Sequence, residues 1–130
     1  NRNAISSGNA LAINAANGVE NYKDIVGVTS AKIDTQRHVT NNANSNILAQ
    51  NIAINAGTDI NNRGNIVSDY TLLVKTAGNI YNYLNMVSYG VAGITVNNLT
   101  NSGSSAVFGG LSGMELNANK VTNTGDVVGL

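Results

Sequence analysis

The chain has 130 residues with no cysteine, no proline and no tryptophan, a single phenylalanine, a single histidine and only 11% charged residues. Each scarcity excludes something. Without cysteine there are no disulfides and no thiolate-based zinc sites. Without proline, nothing interrupts a ladder of hydrogen-bonded strands. Seven acids balance seven bases, so no electrostatic attraction directs the chain to nucleic acid or to an anionic membrane. No apolar run approaches the ~20 residues of a membrane-spanning helix. The sequence opens with neither an initiator methionine nor a basic-then-apolar leader, and we expect an internal segment of a longer repeat protein.

Asparagine and glycine fill the space those residues leave, with 24 and 14 copies. The apolar residues are mostly Ala, Ile, Val and Leu. At 42% hydrophobic the chain is too apolar, and too periodic, for a disordered linker. The period is plainest between Asn51 and Ser88. There Ile52, Ile54, Ala56, Ile60 and Asn62 reappear 20 residues later as Leu72, Val74, Thr76, Ile80 and Asn82. Gly64, Ile66 and Ser68 are answered in the same way by Leu84, Met86 and Ser88. A fixed period of this size marks a solenoid, whose units bury a core only by stacking.

Carried outward, the repeat places one aliphatic column at Ile13, Ile33, Ile54, Val74, Val96 and Leu116. A second runs through Val19, Val39, Ile60, Ile80, Leu99 and Val121. Two residues beyond each of these stands an asparagine: Asn21, Asn41, Asn62, Asn82, Asn101 and Asn123, with Asn1 opening the series. The units are then 1–20, 21–40, 41–61, 62–81, 82–100 and 101–122, with 123–130 beginning a seventh. Within each unit the apolar spacing is two, which lines one face of a strand, and the residues between are polar, as at Asn14, Asp34, Asn55, Lys75 and Glu115. A helix needs apolar positions three and four apart, and the pattern lacks them. Turn chemistry clusters at AANG, AGTD, NNRG and TAGN. The prediction is an all-β parallel β-helix of about six coils, 20–22 residues each, with length variation between Val96 and Leu99 and in the VFGGLSG stretch. Roughly five or six aliphatic side chains should point inward per coil, each contributing about 1.5–3 kcal/mol when fully buried.

The phrases INAGTDINNRGNIVS and LLVKTAGNIYNYLNMVS resemble the haemagglutinin repeats of filamentous-haemagglutinin-like exoproteins exported by two-partner secretion. The likeness extends over essentially the whole chain and is loosest at KIDTQRHVTNN. Glycine at the third position of a unit survives at Gly64, Gly103 and Gly125 but is Asn3, Lys23, Ala43 and Leu84 elsewhere. The resemblance implies a right-handed β-helical fibre on a Gram-negative cell surface. Its role would be that of an adhesin or of the stick of a contact-dependent growth-inhibition toxin. The implied partners are a receptor or glycan on a host or neighbouring cell, the outer-membrane transporter during export, and flanking repeats of the same chain.

For the asparagine column, the expected role is a ladder of amides bonded coil to coil rather than an ion site. Calcium-binding rolls use Gly-Gly-x-Gly-x-Asp repeats, which are absent, and neither metal nor cofactor is expected. Four of the five tyrosines, Tyr70, Tyr81, Tyr83 and Tyr89, fall within twenty residues and form the candidate binding surface, with Tyr81 and Tyr83 outward if Asn82 points in. His38, beside Arg37, is read as a solvated turn residue. The acids Glu20, Asp24, Asp34, Asp59, Asp69, Glu115 and Asp126 build no column of converging carboxylates, and no G-x-S-x-G occurs, so no enzymatic role is expected and a polysaccharide-acting β-helix enzyme stands as the last of the alternatives.

Overall fold

The computed structural model describes residues 1–129, and within them all regular structure is strand. The strands are β1 (Ile5–Ser7), β2 (Ala10–Ala15), β3 (Val19–Asn21), β4 (Asp24–Thr35), β5 (Val39–Asn41), β6 (Asn46–Ala56) and β7 (Ile60–Asn62). They continue as β8 (Asn65–Thr76), β9 (Asn79–Asn82), β10 (Asn85–Ser88), β11 (Val91–Asn101), β12 (Val107–Gly110), β13 (Gly113–Asn123) and β14 (Asp126–Gly129). Every pairing joins strands one coil apart, and every pairing is parallel, as in Ile13↔Ile33, Ile33↔Ile54 and Ile54↔Val74. This is a parallel β-helix of about six coils.

Each coil has three faces. A short face carries 24–27 and its equivalents, a long face 30–35, and a third face 39–41. Strands β4, β6 and β8 run through the corner joining the short and long faces, with a register irregularity at Gly27/Ser30 and at Ala49/Asn51. Alternation along the strands decides what goes inside: β8 reads Ile66, Ser68, Leu72, Val74 and Thr76 inward, each buried, with Val67, Leu73 and Lys75 outward.

Coil three buries five aliphatics, Ile47, Ile52, Ile54, Ala56 and Ile60, as predicted, whereas coil four buries fewer. In coil four they are Ile66, Leu72, Val74 and Ile80; the remaining inward positions are Ser68, Thr76 and Asn62. Three columns are therefore small or polar because the chain bends sharply there. At the short–long corner, a Cβ on Gly27 would lie 1.9 Å from the Ser30 carbonyl oxygen, and the stacked residues Ala49, Ser68 and Ser88 are correspondingly small.

Register in the fifth coil differs from expectation. Val74 pairs with Ile94, not Val96, and Ile94 pairs with Leu116; Val96 pairs with Ala118. Ile94 and Val96 are both apolar and two apart, so either satisfies the alternation. Inter-coil hydrogen bonds select the first. The length changes also move. The Val96–Leu99 turn is one residue shorter than Thr76–Ile80, and β11 continues through it. VFGG is not an irregular loop but strand β12, in register with Asn85–Ser88, and the added residues lie in 102–106.

Those longer loops explain where glycine is required at the third unit position. Gly64 follows the coil carrying the 42–45 loop, where Asn44 adopts a left-handed φ of 60°. A Cβ on Gly64 would sit 2.1 Å from the Ser45 carbonyl oxygen. Gly125 stands in the same relation to the 102–106 loop, 2.3 Å from the Ala106 carbonyl oxygen. Lys23 and Leu84 follow coils with short connections there and have room for side chains.

Candidate functional surface

The asparagine column is an unbroken ladder. Asn1 Nδ2 donates to Asn21 Oδ1, Asn21 to Asn41, Asn41 to Asn62, Asn62 to Asn82, Asn82 to Asn101 and Asn101 to Asn123, all at 2.7–2.9 Å. Asn21, Asn41, Asn62, Asn82 and Asn101 are fully buried. The second amide hydrogen reaches the main chain of the short face: Asn62 Nδ2 to Asn85 O at 2.8 Å, and Asn82 Nδ2 to Val107 O at 2.9 Å. Each side chain thus ties its own coil to the next and pins the corner between the third and short faces. Every interior ladder oxygen, from Asn21 to Asn101, accepts a neighbouring amide.

Two further ladders were not read from the sequence. On the short face Asn46 Nδ2 donates to Asp24 Oδ1 at 2.7 Å, Asn65 to Asn46 at 2.9 Å and Asn85 to Asn65 at 2.8 Å. On the third face Asn98 Nδ2 donates to Asn79 Oδ1 at 2.8 Å, and the Asn79 N–H to Asp59 Oδ1 at 2.7 Å. Register of one coil is the only signal that finds them, since their spacings of 19, 20 and 22 shift with loop length.

The structure separates the four candidate tyrosines into two pairs. Tyr81 lies outward on the third face and Tyr83 on the asparagine corner, flanking buried Asn82 as expected. Tyr70 and Tyr89 lie on the short–long corner, where the Tyr89 N–H donates to Ser68 O at 2.9 Å. Strand β10, a four-residue crossing, lies between Tyr83 and Tyr89. The Arg63 guanidinium sits 5.7 Å from the centre of the Tyr83 ring, a cation–π contact at the asparagine corner.

His38 is half-buried rather than fully solvated. Its ring fills the space above Gly18, where a Cβ would be 2.7 Å from His38 Cε1, and Nε2 lies 3.6 Å from Glu20 Oε1. Glu20 Oε2 also accepts the Tyr22 hydroxyl at 2.9 Å; that hydrogen bond to a carboxylate raises the phenol above its ordinary value. Asp34 takes an ion pair from Lys32 at 2.9 Å, whose hydrogen bond holds its carboxyl below the usual range. Asp24 belongs to the amide ladder, away from Glu20, so the two acids nearest in sequence face different ways. The long face carries a shallow depression of about 410 Å³ whose lining includes Leu73, Lys32, Asp34, Lys75 and Glu115. Among the described residues no three His, Asp or Glu side chains gather as a metal site.

The class this architecture defines is the β-solenoid, here a parallel β-helix with an amide ladder along one corner. No family model, no curated protein and no solved structure matches the chain.

Proposed function

We propose that the chain is a rigid fibrous segment of a secreted bacterial surface adhesin, a spacer that also presents a cell-contact surface. The observation that carries the reading is the continuous asparagine ladder, bonded from Asn1 to Asn123 through every coil. It makes adjacent coils mechanically dependent, and it adds reach at ~4.8 Å per coil, roughly 29 Å over six coils. The resemblance to haemagglutinin repeats supports the surface location and export through an outer-membrane transporter. No catalytic role is part of this reading. Local stacking, absence of cysteine and low charge suit export unfolded and folding coil by coil outside the cell.

A receptor-binding or toxin-stick segment is the second reading, favoured by Tyr81 and by the Tyr83 ring face that Arg63 leaves open, either of which can stack on a sugar. Cell and glycan binding by the wild-type chain and by a Tyr81→Ser/Tyr83→Ser variant separates them. Binding that persists in the variant, with folding intact, supports the spacer reading; binding absent from both overturns its cell-contact part. Loss confined to the variant, with folding intact, replaces it with a dedicated receptor site. Deleting residues 62–81, one full period, should shorten the particle by one coil without unfolding it; collapse of the fold overturns the rod.

A further inference from the structure

An asparagine in water is open to attack by its own backbone. The amide nitrogen of the following residue can bond to the side-chain carbonyl carbon, expel ammonia and close a five-membered imide. The chain carries 24 asparagines. Along the buried ladder both reacting groups are held. The side-chain amides are bonded from coil to coil. The attacking nitrogen of each rung would be that of the next residue, from Tyr22 after Asn21 to Thr124 after Asn123. Every one of these N–H groups already donates to the main-chain oxygen of the asparagine one coil earlier, at 2.8–2.9 Å. The ladder therefore shields its own members chemically as well as pinning the corner.

Asn17 has none of that shielding. It is exposed in the turn between β2 and β3, and it stands in the sequence's one Asn-Gly pair. Around it, the Gln36 N–H donates to Ala15 O at 3.4 Å and the Val19 N–H to His38 O at 2.9 Å. Between those two bonds, neither the Asn17 amide nor the Gly18 N–H has a partner among the described residues. Gly18, with a φ of 101°, brings no side chain to crowd the attack. The turn also belongs to the first coil, which is stacked on one side only. Asn44 is the instructive contrast. It is exposed too, but the Ser45 N–H behind it donates to Asn42 O at 3.2 Å. We infer that Asn17 is a site of spontaneous covalent modification. The Gly18 nitrogen bonds to Asn17 Cγ, the Cγ–Nδ2 bond breaks, and Nδ2 leaves as ammonia with the Gly18 proton. Water then opens the imide at either carbonyl. One product is aspartate; the other is isoaspartate, whose main chain runs through the side-chain carbon and is one atom longer between β2 and β3. Either product gives a chain of zero formal net charge one negative charge.

The added charge makes the conversion easy to follow. The wild-type chain is incubated in mildly alkaline buffer, folded and in urea, and sampled by ion exchange. Peptide mass spectrometry locates each exchange of amide for carboxyl, and isoaspartyl methyltransferase labels the isomerised product. In the folded chain Asn17 should convert at least ten times faster than Asn44 or any ladder asparagine. In urea Asn101, followed by a small serine, should speed up at least tenfold as the Ser102 N–H is released, while Asn17 changes less than threefold. Asn17→Ser should abolish the early acidic product and leave the circular dichroism spectrum unchanged. Asn17 intact in the folded chain over a period in which it converts in urea overturns the inference. So does conversion of the folded chain led by another asparagine, and so does an Asn101 rate that unfolding leaves unchanged, since shielding by the ladder would then be absent.

Discussion

Two corners of the coil reverse the usual placement of polar and apolar groups. The corner between the third and short faces buries amides: Asn21, Asn41, Asn62, Asn82 and Asn101 have no exposed surface. The corner between the short and long faces leaves Val28, Tyr70 and Tyr89 half or more exposed. Burial of a polar group is costly only where its hydrogen bonds go unmade. A coil repeat supplies each buried asparagine with an identical partner one strand spacing away, so both its donor and its acceptor are met. At the other corner the tight bend at Gly27 and Ser68 leaves little room inside, and the apolar residues that follow have nowhere to go but out.

The comparison is broken most severely by removing a rung. Asn62→Ala deletes the acceptor of Asn41 and the donor to Asn82 Oδ1 and Asn85 O in a fully buried site. The expected loss is about 2–4 kcal/mol, at roughly 1–3 per buried group left unpaired, read from urea unfolding. Next in size is Gly64→Ala, beside the same rung, whose methyl group meets the Ser45 carbonyl; overpacking of this kind costs about 1–3 kcal/mol. Lys23 occupies the equivalent place without conflict, so Lys23→Gly should produce no comparable change in the same measurement.

The apolar corner responds differently. Ser68 is fully buried there and its hydroxyl has no partner, while Ala49 holds the stacked position one coil away. Ser68→Ala should therefore be neutral or stabilising by up to about 1 kcal/mol, where an Asn→Ala change at the other corner is damaging. A clear destabilisation would show that the hydroxyl is satisfied after all. Tyr70→Ser and Tyr89→Ser should leave the unfolding midpoint within about 0.5 kcal/mol of wild type, since neither ring supports the interior.

The smallest effect belongs to the exposed Lys32–Asp34 pair. Asp34 has its carboxyl lowered from 3.8 by the Lys32 hydrogen bond. A depressed acid contributes stability that is present above its unfolded value and disappears as pH falls through the folded one. Lys32→Met should remove that small contribution at neutral pH and flatten the acid limb, so that the variant and the wild type converge in stability at the acid end of a pH series.

Much of this was legible in the chain. The matches of Ile54 with Val74, Ile80 with Leu99, Ile66 with Met86 and Ser68 with Ser88, and the whole asparagine column, follow from a period that repeats with little error. The tyrosine group was legible only as a count. Tyr83 and Tyr89 are six residues apart in sequence, yet they sit at opposite ends of β10, because proximity in sequence says nothing about which side of a bend a residue occupies.

By itself the sequence determined the parallel β-helix and which side chains turn inward, since alternate residues of a strand must point opposite ways. Tertiary structure decided the rest. A slip of two residues keeps the apolar face inward, so alternation could not choose between Ile94 and Val96 over Val74; hydrogen bonds from the coil beneath made that choice. The need for glycine at Gly64 and Gly125 arises likewise from a carbonyl about twenty residues earlier, brought within reach only when one coil lies on another.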